Sequence, residues 1–253
     1  MPGAAIEVRD VRKTLFDRGR GESEVLRGIS FACEGREVVG LLGPNGAGKT
    51  TTLRLLAGLL RPTSGEVRVD GLDPVAEPIA ARMRIGYITG STRLYGRLTP
   101  LETLRFFGEL HEMSGDQIER RSAELMETFD LRSFRDSPCS RLSTGQKQRV
   151  NLARAIMHSP PVLLLDEPMT SLDILTSRTV LDYARQARDE GRCVLFSTHN
   201  IAEAELLCDR ILVMHLGRIL AFDRLENLLA ATGQASLSRA LLALIERHEP
   251  ATV

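Results

Sequence analysis

Gly43, Pro44, Asn45, Gly46, Ala47, Gly48, Lys49 and Thr50 form one eight-residue run, and few folds can house it. The pattern G-x-x-x-x-G-K-[ST] lets successive backbone N–H groups approach an anion, an approach that side chains at Gly43, Gly46 and Gly48 would block. Residues 38–42, Val-Val-Gly-Leu-Leu, are apolar on both faces, as expected of a central parallel strand lying under helices. Thr51 opens the helical run Thr-Thr-Leu-Arg-Leu-Leu, which points its positive dipole end at the loop. Strand, glycine loop and helix in this order predict an α/β fold that binds phosphate at the turn.

Lys49 is placed to reach β- and γ-phosphates, and Thr50 to offer its hydroxyl to Mg²⁺. A second buried strand, residues 162–165, runs into Asp166 and Glu167. A buried strand does not finish in two acids unless a cation or a solvent-filled site meets them. Asp166 is therefore expected in the Mg²⁺ shell and Glu167 as the group that orients or deprotonates the attacking water. A third apolar strand, from Val194, delivers His199 at its carboxyl end, the edge at which open α/β sheets bind ligands. Its imidazole is expected to reach the γ-phosphate and the water.

The remaining pattern divides the chain. Ile6 and Val8, then Ile29, Phe31 and Cys33, then Val67 and Val69 recur at period two, the mark of half-buried antiparallel strands. Residues 18–24 read as an exposed hairpin loop between two of them. From Thr99 the period turns helical: Thr99, Pro100 and Glu102 supply an N-cap, a proline at the first helical position and a capping-box acid. Ile118, Leu125 and Phe129 mark a second helix, and Val150, Ala153 and Met157 a third. The expected architecture is a phosphate-loop NTPase core with a mainly parallel sheet, an N-terminal antiparallel β subdomain, and an α-helical subdomain inserted at about residues 91–158. The principal domain is expected over residues 1–222, with two short helices around Gly233 forming a tail over 223–253.

Lys+Arg and Asp+Glu both number 33, a balance that argues against nucleic-acid binding through bulk charge. The longest apolar run, residues 240–245, falls far short of the ~20 residues of a membrane-spanning helix. No secretory signal is visible at the start. The four cysteines show no Cys-x-x-Cys spacing and read as reduced small hydrophobes in a cytosolic protein.

Leu142-Ser-Thr-Gly-Gln146, twenty residues ahead of Val162, is by itself a good helix N-cap. In order with the phosphate loop, the Asp166-Glu167 pair, Asp173 in Thr-Ser-Leu-Asp, and His199, it makes residues 5–222 resemble the ATPase subunit of an ABC transporter. The resemblance implies ATP and Mg²⁺, and a head-to-tail homodimer, or a pair with a similar ATPase subunit, enclosing two ATP molecules. Ser143 and Gly145 would then touch the γ-phosphate held by the partner's loop, with Gln146 and Asp173 at the same interface. The adenine-stacking aromatic matches Phe16 most nearly, with Leu15 and Phe31 as alternatives.

Two positions depart from the family pattern. Gly90 stands where a glutamine usually contacts Mg²⁺, so Thr89, Ser91, Thr92 or water must substitute, and Thr144 replaces a glycine. These features and the short tail are similar to sodium- and drug-extrusion ATPases. The implied setting is the inner face of the cell membrane, against a separate polytopic membrane subunit gripped near residues 88–110 through Arg93, Leu94, Tyr95, Leu98 and Phe106. The competing expectation is a soluble assembly ATPase of the iron–sulfur-cluster type, which uses the same fold without a membrane subunit.

Overall fold

A computed structural model describes residues 4–17, 21–89, 92–170 and 172–248. The strands are β1 (Ile6–Asp17), β2 (Gly21–Cys33), β3 (Glu37–Leu42), β4 (Ser64–Val69), β5 (Ile85–Thr89), β6 (Val162–Asp166), β7 (Cys193–Thr198), β8 (Arg210–His215) and β9 (Arg218–Asp223). The helices are α1 (Lys49–Leu56), α2 (Pro78–Arg82), α3 (Pro100–Leu110), α4 (Gly115–Thr128), α5 (Thr144–Ala155), α6 (Ile174–Asp189), α7 (Ile201–Leu207), α8 (Leu225–Thr232) and α9 (Leu237–His248).

Period-two alternation produces the antiparallel sheet β2-β1-β4, with Ile6 opposite both Cys33 and Val69. The apolar strands form a second sheet in the order β5-β6-β7-β3-β8-β9, parallel throughout except for the antiparallel edge strand β9. Both faces of its centre are covered. Leu163 and Leu165 pack with the helices α4, α5 and α6, while Val162 and Leu164 pack with α1 and the antiparallel sheet. That two-sided burial is why these strands read as continuous apolar runs rather than alternating ones.

The expected hairpin loop at 18–24 is shorter than its composition suggested. Gly21, Glu22, Ser23 and Glu24 continue β2 and pair with β1, because exposed polar residues suit a hairpin arm as well as a loop; residues 18–20 lie outside the described residues. Sequence periodicity also leaves α2, α6, α7 and the β8–β9 hairpin unmarked. The buried run from Ile211 to Met214 is only four residues long, too short for period alone to separate strand from helix.

Local capping sets where the helices start. Thr99, Ser114 and Ser143 each accept from the backbone N–H three residues on, and Glu102, Gln117 and Gln146 return the bond. No single helix among the described residues is long and apolar enough to cross a membrane. Helices α8 and α9 reach that length only together, across a 55° bend, and their Leu228, Leu237 and Leu244 are buried against β8 and α7.

Phe129 follows α4, is fully buried, and packs its ring at 5.3 Å from that of Tyr183 on α6. It belongs to the cluster that ties the helices to the sheet. Phe129→Ala is expected to cost ~3–5 kcal/mol, read as a lowered urea midpoint.

Candidate active site

The carboxyl ends of β3, β6 and β7 meet side by side, with Leu42 in register with Thr198 and Asp166 with Ser197. The segments leaving these three strand ends therefore converge: the glycine loop, Glu167 and His199. The loop turns tightly because a Cβ on Gly43 would stand 2.2 Å from the Met214 carbonyl oxygen, and because Gly48 holds φ at +106°. Gly48 also caps α1 without a side-chain hydrogen bond, so the first-turn N–H groups face the loop. A cavity of about 150 Å³ lies there, lined among others by Asn45, Ala47, Lys49, Thr50, Thr51 and Glu167. Gly46 and Gly48 also line it, and Pro44 accepts from Lys49 at the loop's start.

Lys49 is only 5% exposed. Its Nζ donates to the carbonyl oxygens of Gly43 at 2.7 Å and Pro44 at 3.2 Å, and lies 3.7 Å from Glu167 Oε1. Burial draws the lysine pKa below its usual value, while the charges of Glu167 and Asp166 pull it back up. Thr50 Oγ1 donates to Asp166 Oδ1 at 3.1 Å, and Ser197 Oγ donates to the same oxygen at 2.7 Å. His199 Nδ1 stands 3.3 Å from Glu167 Oε1. The turn carrying His199 is braced by Thr198, which donates to Glu203 at 2.6 Å and accepts from the Asn200 N–H at 2.9 Å.

Thr50 and Asp166 present hard oxygen donors. Among the described residues, no group of three or more His, Cys, Asp or Glu is gathered that could hold a metal by itself. A hydroxyl and one carboxylate beside a phosphate-binding loop are the donor set of Mg²⁺ shared with a nucleotide rather than of a closed protein cage.

The other candidates form a second group on α5 and α6. Ser143 caps α5 at an exposed position, and Gln146 closes the capping box. Asp173 caps α6 through the Thr176 N–H at 2.9 Å and accepts from the Thr176 hydroxyl at 2.8 Å. Gly145 lies beside it: a Cβ there would be 3.5 Å from Asp173 Oδ2. Phe16 is 74% exposed on β1, opposite Glu22. Of the three adenine-stacking alternatives, Phe31 is buried edge-on against Phe222. Gly90 and Ser91 lie outside the described residues; Thr89 and Thr92 pair their hydroxyls at 3.1 Å.

The expected docking segment behaves unevenly. Tyr95 and Phe106 are exposed and meet edge-on at 5.7 Å, whereas Leu94 packs against the helical core. An apolar groove of about 400 Å³ lies between α2, β5 and α3, lined by Ile79, Tyr87, Phe107, Leu110 and Arg154 among others, and a cavity of about 540 Å³ lies on the segment itself, lined by Arg93, Leu94 and Lys147 among others. Sequence reasoning also missed Ser197, Gln148, which donates to the Pro168 carbonyl at 3.1 Å, and Asn151, which donates to that of Thr92 at 3.0 Å. Polar residues inside otherwise buried runs were the available signal.

The ABC transporter family profile matches residues 26–170. The ABC transporter ATP-binding protein NatA of Bacillus subtilis (strain 168) is 39% identical over 206 residues, 81% of this chain and 84% of that protein. Nod factor export ATP-binding protein I of Paraburkholderia xenovorans (strain LB400) is 39% identical over 231 residues, 91% of this chain and 74% of that protein. A solved ATP-binding subunit of an ABC transporter superposes with a TM-score of 0.88 at 31% identity, covering 95% of this chain and 99% of its own. A dimeric post-hydrolysis cassette bound to ADP and Pi does so at 0.78 and 28%, covering 87% and 98%. With the phosphate loop, the paired carboxylates and the capped serine helix in the family's order and fold, the chain belongs to the ABC transporter ATP-binding family of ATPases.

Proposed function

We propose that this chain hydrolyses Mg²⁺-bound ATP as one half of a head-to-tail pair, and passes the resulting closure to a separate membrane protein that exports a solute. The observation that carries this reading is Glu167 Oε1, held within 3.7 Å of Lys49 and 3.3 Å of His199 at the rim of the loop cavity.

In this reading the loop N–H groups and Lys49 bind the β- and γ-phosphates. Thr50 and Asp166 would hold Mg²⁺, which when bound would neutralise charge on the phosphate oxygens. Glu167 takes a proton from water as the water oxygen bonds to the γ-phosphorus and the bond to the β–γ bridging oxygen breaks. His199 hydrogen-bonds the γ-phosphate and orients the water.

The pair is supported by Ser143, which starts a different helix from the loop at an exposed N-terminus whose dipole suits an anion supplied from outside. Ile174, beside Asp173, is 88% exposed, as a residue awaiting a partner surface would be. Phe16 is the assigned adenine contact. The surface assigned to the membrane protein takes in the Arg93–Phe106 segment, where Tyr95 and Phe106 are exposed, and the groove between α2 and α3, rimmed by the exposed Ile79 and Leu110. Nod factor export in one relative's name favours export, and the relatives being transporter proteins favours this reading over an assembly ATPase. The chain then sits peripherally on the inner face of the membrane.

Glu167→Gln is expected to keep ATP affinity and lose kcat by roughly 10²–10⁴-fold; steady-state turnover and equilibrium nucleotide binding check both halves. Lys49→Ala should weaken ATP binding by about 10–100-fold, the value of a charge-assisted hydrogen bond of ~1.5–3 kcal/mol.

In the Glu167→Gln background, ATP should trap a species of twice the monomer mass, and Ser143→Arg should abolish it; light scattering that finds the trapped dimer intact refutes the head-to-tail arrangement. Ile79→Asp with Leu110→Glu should end co-purification with a membrane protein from detergent-solubilised membranes while leaving ATP turnover unchanged.

A further inference from the structure

Ser197 is fully buried on β7, between Leu41 of β3 and Asp166 of β6. The three residues before it, Val194, Leu195 and Phe196, are all apolar and buried. A hydroxyl in such a strand is costly unless both its donor and its acceptor are used, and both are. Ser197 Oγ donates to Asp166 Oδ1 at 2.7 Å and accepts from the Glu167 N–H at 3.0 Å. The Ser197 carbonyl takes the same N–H at 3.2 Å.

These bonds act on two groups. At Asp166, Ser197 and Thr50 share Oδ1, which turns the carboxylate and leaves Oδ2 free of hydrogen bonds among the described residues. At Glu167, φ is +47°, a left-handed conformation that side-chain-bearing residues rarely adopt. The doubly shared N–H secures that conformation, and the conformation swings the Glu167 side chain off the strand line toward Lys49 and His199.

We infer that Ser197 is a positioning residue for ATP hydrolysis, whose one hydroxyl aligns Asp166 toward the cation and Glu167 toward the water. This rests on the roles proposed above for those two carboxylates. Its action is through them.

The test compares Ser197→Thr with Ser197→Val, which match in shape and differ in the hydroxyl. Ser197→Val should lower kcat by roughly 10–100-fold relative to Ser197→Thr, with ATP affinity and Tm alike in the two. Mn²⁺ affinity of the ADP-bound protein, read by electron paramagnetic resonance, should weaken by about tenfold in Ser197→Val and be retained in Ser197→Thr. Equal kcat and equal Mn²⁺ affinity in the pair overturn the inference. So does a Ser197→Val protein that fails to fold while Ser197→Thr folds, since the hydroxyl then serves stability. If the added methyl is not tolerated in either, Ser197→Ala against the wild type is judged by the same readouts. Glu167→Gln separates the two levels: wild-type turnover there defeats the proposed function itself, whereas its loss beside an unaffected Ser197→Val defeats only the role of Ser197.

Discussion

The Asp166 carboxylate is 5% exposed at the end of a strand whose other residues are all buried and apolar. A charge in that position is tolerable only if hydrogen-bonded, and its two partners come from different elements. Thr50 lies in the first turn of α1 after the loop of β3, and Ser197 is the last residue but one of β7. The carboxylate thus pins together the carboxyl ends of three strands adjacent or nearly adjacent in the sheet. The loop, Glu167 and the His199 turn take their mutual positions from that junction. The same need for polar satisfaction that makes Asp166 expensive to bury makes the site hard to deform.

The junction also separates the candidate residues into two groups. Every group gathered around Lys49 comes from the ends of β3, β6 and β7, while Ser143 and Asp173 start helices α5 and α6 and are occupied with capping them. A capped helix start is ordered before any ligand arrives, so an anion meeting it costs little reorganisation. In the head-to-tail pair proposed above, an α5 start would meet the partner's phosphate loop.

The helices α3–α5 meet the sheet through an apolar interface that is non-directional, and through two directed bonds that are not. Gln148 holds the Pro168 carbonyl, one residue beyond Glu167, and Asn151 holds the Thr92 carbonyl beyond β5. These two bonds tie α5 to the segments that follow β6 and β5.

Much of this was legible in the chain as written, because the chemistry demanded residues close together in sequence. The spacing of Gly43, Gly48, Lys49 and Thr50, the acids ending an apolar strand, and Ser143 with Gln146 each encode a local geometry of backbone approach, strand end or helix start. The mainly parallel sheet followed from apolar strands alternating with helices. Period and spacing carry no information about which strand lies beside which, and there the tertiary structure decided. Thr50 meets Asp166 across 116 residues, and Ser197 meets it across 31, only because β7 sits between β3 and β6. Whether an aromatic is buried, like Phe31, or exposed, like Phe16, depends on what packs over its strand face. The sequence by itself determined that a phosphate loop and a pair of carboxylates are present; the order of strands, set by long-range packing, determined that they lie side by side and that a buried serine hydrogen-bonds both acidic residues.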